Sequence, residues 1–99
     1  MPETSKLQIY SIEQENADGG VCVVRCIGGI ARVGQNFLEQ GEEPESSTRH
    51  FTLNRIVRYS RDVELFDPPH NARVHLTGRP LAGLGEGSVL VPFDEERQS

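Results

Sequence analysis

The sequence predicts an all-β fold, a small closed antiparallel barrel of six to eight strands, and three observations carry that expectation. Short runs rich in β-branched and aromatic residues recur along the chain. Clusters of Gly, Asn, Asp and Pro separate them, as tight turns require. No segment places apolar residues at i, i+3, i+4 and i+7 over three turns with caps, so no stable helix is expected. Closure follows from size. The chain has 99 residues, 35% of them hydrophobic, and at about 100 residues somewhat over 60% of the unfolded surface can be buried. A barrel removes the sheet edges that so lean a chain would struggle to cover.

The elements follow in order. Leu7–Ile12 opens as a strand with imperfect alternation, and Asn16-Ala17-Asp18-Gly19-Gly20 is a turn whose residues tolerate positive φ. Val21–Ile27 is a second, β-branched strand running into Gly28-Gly29. Ile30–Val33 is a short strand, Gly34-Gln35 a tight turn, and Asn36–Glu39 extended again. Arg49–Tyr59 is the longest strand candidate. Leu53, Val57 and Tyr59 share one parity and Ile56 the other, which predicts a β-bulge near Arg55-Ile56. Arg61–Asn71 reads as a connection, with Arg61–Phe66 too short to be a stable helix. Ala72–Thr77 alternates as a half-buried strand does, and Ser88–Val91 is the last strand. One domain spans 1–99, with an ordered core over about 6–92, a flexible acidic loop over 40–48 and a frayed tail over 93–99.

Composition removes several function classes. The net charge of −5 excludes a globally basic nucleic-acid binder. No apolar run approaches the ~18 residues of a membrane span, and the opening Met1–Lys6 lacks the basic start and apolar stretch of a secretory signal. Cys22 and Cys26 are the only cysteines. Four apart on a strand they stand roughly 13 Å from each other, too far for a disulfide or a shared metal ion. They read as buried, inert thiols in a reducing cytoplasm. His50, His70 and His75 have no metal-ligand spacing, and no motif marks a general acid, base or nucleophile. No enzyme, no cofactor and no small-molecule substrate is expected.

From Val21 onward the order of features resembles the second, β-barrel domain of translational GTPases such as elongation factor Tu. In Gly29-Ile30-Ala31-Arg32-Val33-Gly34-Gln35, Gly29, Val33 and Gly34 match that family's Gly-x-Ile-x-Val-Gly-Asp segment. Leu53, Ile56 and Tyr59 are similar to its Val-x-x-Ile strand with an aromatic three residues on. Asn71-Ala72-Arg73-Val74-His75-Leu76-Thr77-Gly78 resembles Ala-Gly-Asp-x-Val-x-Leu-x-Leu-x-Gly, with Asn71 at a glycine position. Gly87-Ser88-Val89-Leu90 resembles the closing Gly-x-Val-Leu. The resemblance covers about residues 20–92 and implies a barrel that contacts tRNA or ribosomal RNA. It does not carry GTP hydrolysis, because no Gly-x-x-x-x-Gly-Lys-Ser/Thr loop exists in the sequence.

Two regions are candidate contact surfaces. Residues 46–81 hold six arginines against Asp62, Glu64 and Asp67, a local surplus of three positive charges. Arg55, Arg58 and Arg73 are the candidate RNA contacts, since guanidinium suits bidentate phosphate recognition. The alternatives are a solvated face paired with nearby carboxylates, or the docking of an acidic protein. In the connection Arg61–Asn71, Leu65 and Phe66 either plug an open end of the barrel or form an apolar partner patch. The expected function is a small cytoplasmic binding module for a protein or ribonucleoprotein. The alternative is direct RNA or ribosome binding.

Overall fold

The computed structural model describes residues 5–41 and 49–92. Most of the acidic loop and the tail expected to fray, residues 42–48 and 93–99, lie outside them. Among the described residues nine strands form: β1 Lys6–Asn16, β2 Gly19–Gly28, β3 Ala31–Arg32, β4 Asn36–Glu39, β5 Phe51–Arg58, β6 Arg61–Val63, β7 Leu65–Phe66, β8 Asn71–Thr77 and β9 Val89–Pro92. Among the described residues all regular structure is strand.

Six strands close into an antiparallel barrel in the order β4-β9-β1-β2-β8-β5, with β5 pairing back onto β4. β6 continues the sheet on β5, and β3 and β7 form a separate two-stranded ribbon. Period-two patterning builds the interior. Cys22, Val24 and Cys26 of β2 and Ala72, Val74 and Leu76 of β8 point inward and are buried. They meet Leu7, Ile9, Phe37, Phe51, Leu53, Ile56, Phe66, Leu81 and Leu90 in one core.

The bulge expected near Arg55-Ile56 falls one residue earlier. The β5–β8 register steps from Leu53↔Leu76 to Arg55↔His75, so Asn54 is the extra residue. Leu53 and Ile56 consequently both face inward while Asn54 and Arg55 are exposed. The longest strand is β1 rather than the Arg49–Tyr59 segment, because polar Gln14–Asn16 pair on with Gly19–Val21. The imperfect alternation of its start has a physical origin: a register shift between Ile9 and Ser11 leaves Tyr10 outside. Close backbone approach requires glycine at Gly19, Gly20 and Gly78. A Cβ on Gly19 would stand 1.9 Å from the Leu76 carbonyl oxygen, and one on Gly78 (φ 108°) 2.2 Å from that of His50.

The segment read as a plain connection, Arg61–Asn71, contains β6 and β7. Phe66 pairs with Ala31, and both are buried; its neighbour Leu65 is 43% exposed. Phe66 is thus a core plug, and truncation to Ala is expected to lower unfolding free energy by about 3–5 kcal/mol in urea titration.

Both cysteines are free and buried. Burial pushes the Cys22 thiol up to about 12 from its ordinary 9.0, with Glu13 adding to the effect. Burial also raises Cys26, whose Sγ lies 3.3 Å from the Gly28 carbonyl oxygen. Below pH 9 folded and unfolded Cys22 both keep their proton. Above it the unfolded thiol ionises first, so stability falls as pH rises from about 9 toward about 12. Urea midpoints across that range should fall more steeply for the wild type than for Cys22→Ala.

Candidate binding groove at the β5–β6 hairpin

β5 and β6 are joined by two residues, Tyr59 and Ser60, since Arg58 pairs with Arg61. Both have positive φ, 53° and 63°. That is the geometry of a type I′ turn, which favours Asn-Gly because side chains at positive φ are strained. Here the turn holds Tyr59 at 87% exposure. The Arg58 guanidinium carbon lies 5.2 Å from the centre of the Tyr59 ring, within cation–π range. The buried Nε of Arg58 has no hydrogen-bond partner among the described residues. Arg58 and Arg61 face each other across the hairpin, and neither forms an ion pair among the described residues. Like charges directly opposite destabilise a strand pair. The tip therefore concentrates cation and aromatic surface that nothing in the described chain neutralises.

Beside the tip lies an open groove of about 380 Å³, lined by β2, β5, the hairpin turn, His70 and the start of β8. Val23, Arg73 and Val57 sit in one cross-strand row over β2, β8 and β5, with Arg73 between the two valines. Arg73 donates from Nε to Glu13 Oε1 at 2.6 Å and from a terminal nitrogen to Oε2 at 3.3 Å. The hydrogen bonds from Arg73 hold the Glu13 carboxyl below its ordinary range. His70 closes the far side: its Nδ1 is 3.0 Å from Asp67 Oδ1, and its carbonyl accepts from the Cys26 N–H. Arg25 ties down the same loop, donating to the Pro69 carbonyl and the Tyr10 hydroxyl, each at 3.1 Å.

The sequence-predicted residues separate. Arg58 and Arg73 share the groove. Arg55 lies two rows away opposite His75, in a two-point ion pair with Asp62 whose longer contact is 3.2 Å. That contact lowers the Asp62 carboxyl and raises Arg55. Phe66 is inside the barrel. Tyr59 and His70 line the groove, and Arg61 stands beside it opposite Arg58, without being among the contacts expected from the sequence. The local signal for Tyr59 and Arg61 was a strand ending in Arg-Tyr-Ser-Arg with no Asn-Gly to make its turn comfortable. Among the described residues no group of three His, Cys, Asp or Glu is placed to hold a metal ion. Among them, too, no helix is long and apolar enough to cross a membrane.

No family model matches the chain, and no curated protein matches it. Among solved structures it is similar to the crystal structure of GDP-bound aIF5B from Aeropyrum pernix, with a TM-score of 0.75 and 22% identity. The fold is that of a translation-factor β-barrel domain. The match covers 91% of this chain and 15% of that one, so the likeness concerns a single barrel within a much longer protein. The motifs from Gly29 to Leu90 that suggested such a barrel thus correspond to the architecture observed.

The strain at the tip costs the folded barrel stability. Replacing Tyr59 and Ser60 together by Asn and Gly is expected to raise unfolding free energy by about 1–2 kcal/mol, read from urea midpoints.

Proposed function

We propose that this chain is a non-enzymatic binding module of the cytoplasm whose partner, a protein or a ribonucleoprotein, docks on the hairpin-tip groove. The observation that carries this reading is the strained Tyr59-Ser60 turn, which displays an aromatic ring between two arginines without carboxylate partners among the described residues. Strain of this kind persists only where the surrounding structure enforces it, and it concentrates at functional surfaces. The groove offers cations, a ring and apolar stems (Val23, Val57, Ala72) rather than a nucleophile beside a base. Buried free thiols fit a reducing compartment.

A second reading, direct RNA binding, is favoured by one specific feature: Arg58 packs over the exposed Tyr59 ring, a pairing suited to a stacked base and its phosphate. The surface available for it is narrower than the arginine count along the sequence implies, because Arg55 and Arg73 are already bound to Asp62 and Glu13.

Fluorescence anisotropy with labelled tRNA and ribosomal RNA fragments at two salt concentrations separates the readings. If RNA is the ligand, affinity falls steeply with salt, and Arg58→Ala lowers the salt slope by about one. If the partner is a protein, RNA does not bind even at low salt. The protein recovered with the wild type is then lost with Tyr59→Ala, while the melting curve still shows a folded barrel. Binding of either kind that is indifferent to both substitutions would refute the groove.

A further inference from the structure

The groove at the hairpin tip opens where two strands part. The β5–β8 ladder stops at Val57↔Arg73, whereas β8 continues against β2 through Val24↔Ala72 to Arg25↔Asn71. Past that last rung β5 runs into the Tyr59-Ser60 turn, so Arg58 and Tyr59 line one side of a gap and Asn71 and Ala72 the other. The Nε of Arg58 is buried there and has no hydrogen-bond partner among the described residues. A buried donor on a charged group is costly to leave without an acceptor. An acceptor brought by another molecule therefore gains most at this nitrogen.

The neighbouring arginines show which acceptor suits the position. Arg55 meets Asp62, and Arg73 meets Glu13, each through Nε and one terminal nitrogen to the two oxygens of a single carboxylate. This side-on, two-point seat is the strong geometry for a guanidinium. On Arg58, the third arginine of this part of β5 and β8, no carboxylate of the described chain takes it. The lining selects by charge as well. It holds no Asp or Glu, and Arg73 is already matched by Glu13. One uncompensated positive charge is left, that of Arg58, among apolar Val23, Val57 and Ala72 and the exposed Tyr59 ring. One charge suits one carboxylate. A nucleic-acid backbone repeats its negative charge at every unit, and beside this groove it would also meet Glu13, Asp62 and Asp67. By contrast, a cleft on the β3–β7 ribbon is lined by Arg32, Val33, Glu64 and Leu65, a cation and an anion together, and favours neither sign.

We propose that the hairpin-tip groove is a carboxylate-binding site. Arg58 takes one carboxylate of a protein partner through Nε and a terminal nitrogen, while an apolar side chain of the same segment packs on Val57 and the Tyr59 ring. The inference rests on the reading of this groove as a docking site and names the chemical group it docks. An Asp or Glu side chain and a free C-terminus present the same carboxylate, and the test tells them apart.

NMR titration of the whole chain, labelled with 15N, reads the backbone amides and the Arg58 Nε–H directly. Three peptides serve as probes: acetyl-Gly-Leu-Leu with a free C-terminus, the same peptide amidated, and amidated acetyl-Leu-Glu-Leu. Each is added to about 20 mM, ample for a Kd near about 1 mM. The peptides bearing a carboxylate should shift the Arg58 Nε–H and the amides of residues 57–60 and 71–73, and the amidated Gly-Leu-Leu should not. Whichever of the two binds more tightly identifies the source of the carboxylate. Arg58→Gln should weaken that binding by about tenfold or more, and Arg58→Lys, which keeps the charge without the fork, should restore only part of it. Melting curves check that both variants fold, and the comparison of peptides on the wild type needs no variant. Carboxylates that leave these signals unmoved, or that bind Arg58→Gln as well as the wild type, would overturn the proposal. If the amidated peptide then shifts the same signals, or a protein partner is still lost with Tyr59→Ala, the docking reading stands without carboxylate recognition. If tRNA fragments alone shift them, the ligand is RNA and the proposal falls. If nothing moves them, the docking reading falls with it.

Discussion

Closure of the barrel depends on the bend in β5. One edge of that strand is bonded to β8 along its length, while the other is divided, its start pairing with β4 at Phe51 and Thr52 and its end with β6 from Ile56. A regular eight-residue strand does not serve two diverging neighbours on one edge. The extra residue at Asn54 provides the turn, and the Thr77 hydroxyl, 2.7 Å from the Asn54 side-chain oxygen, supports it from β8. The same insertion keeps Leu53 and Ile56 both inside; strict period two would have sent one of them to solvent. With β5 bent, β4 reaches it, no long open edge remains in the six-stranded sheet, and a core of modest size suffices.

The outer wall is organised by the pairing order that closure imposes. Counted along the chain, residues 46–81 hold a surplus of positive charge. In space much of it disappears. Glu13, from the acidic first half of the sequence, reaches across to Arg73, 60 residues away, and Asp62 engages Arg55 diagonally across the β5–β6 hairpin. Exposed pairs of this kind add little to stability. Their consequence is electrostatic: they leave Arg58 and Arg61 at the hairpin tip, and Arg32 on the ribbon, as cations with no carboxylate of their own among the described residues.

What the sequence made legible follows from what periodicity can encode. Strands with one buried face, such as Ala72–Thr77 within β8 and Val21–Ile27 within β2, announce themselves by alternation. The bulge in β5 was visible for the same reason, as a break in parity at Ile56. β6 and β7, at three and two residues, are too short to carry any period. They exist because β5 and β3 offer them edges, which is tertiary information. The candidate site divides along the same line. Arg58 and Arg73 were recognisable as residue types, but the partnership of Arg73 with Glu13 depends on β1 lying beside β2. Tyr59 was legible only as a strand end and not as a displayed ring, because its exposure comes from a two-residue turn fixed by the Arg58–Arg61 pairing.

That turn and the ribbon are consequences of one short segment, in which successive side chains go to different places. Arg61 stands at the hairpin tip, Asp62 neutralises Arg55, and Val63 packs against the core. Glu64 and Leu65 line the ribbon cleft, and Phe66 enters the barrel. Phe66 is the anchor that fixes this order. Its burial against Ala31 sets the ribbon's register, the register sets Leu65 beside Arg32, and the five residues left back to Arg61 are just enough to return to β5. With no slack between the anchor and the hairpin, the chain meets β5 in a turn of two residues, and whatever occupies positions 59 and 60 must adopt positive φ. The strained display of Tyr59 is therefore enforced from the core outward, which explains how an unfavourable local conformation persists on an exposed tip that makes few contacts of its own.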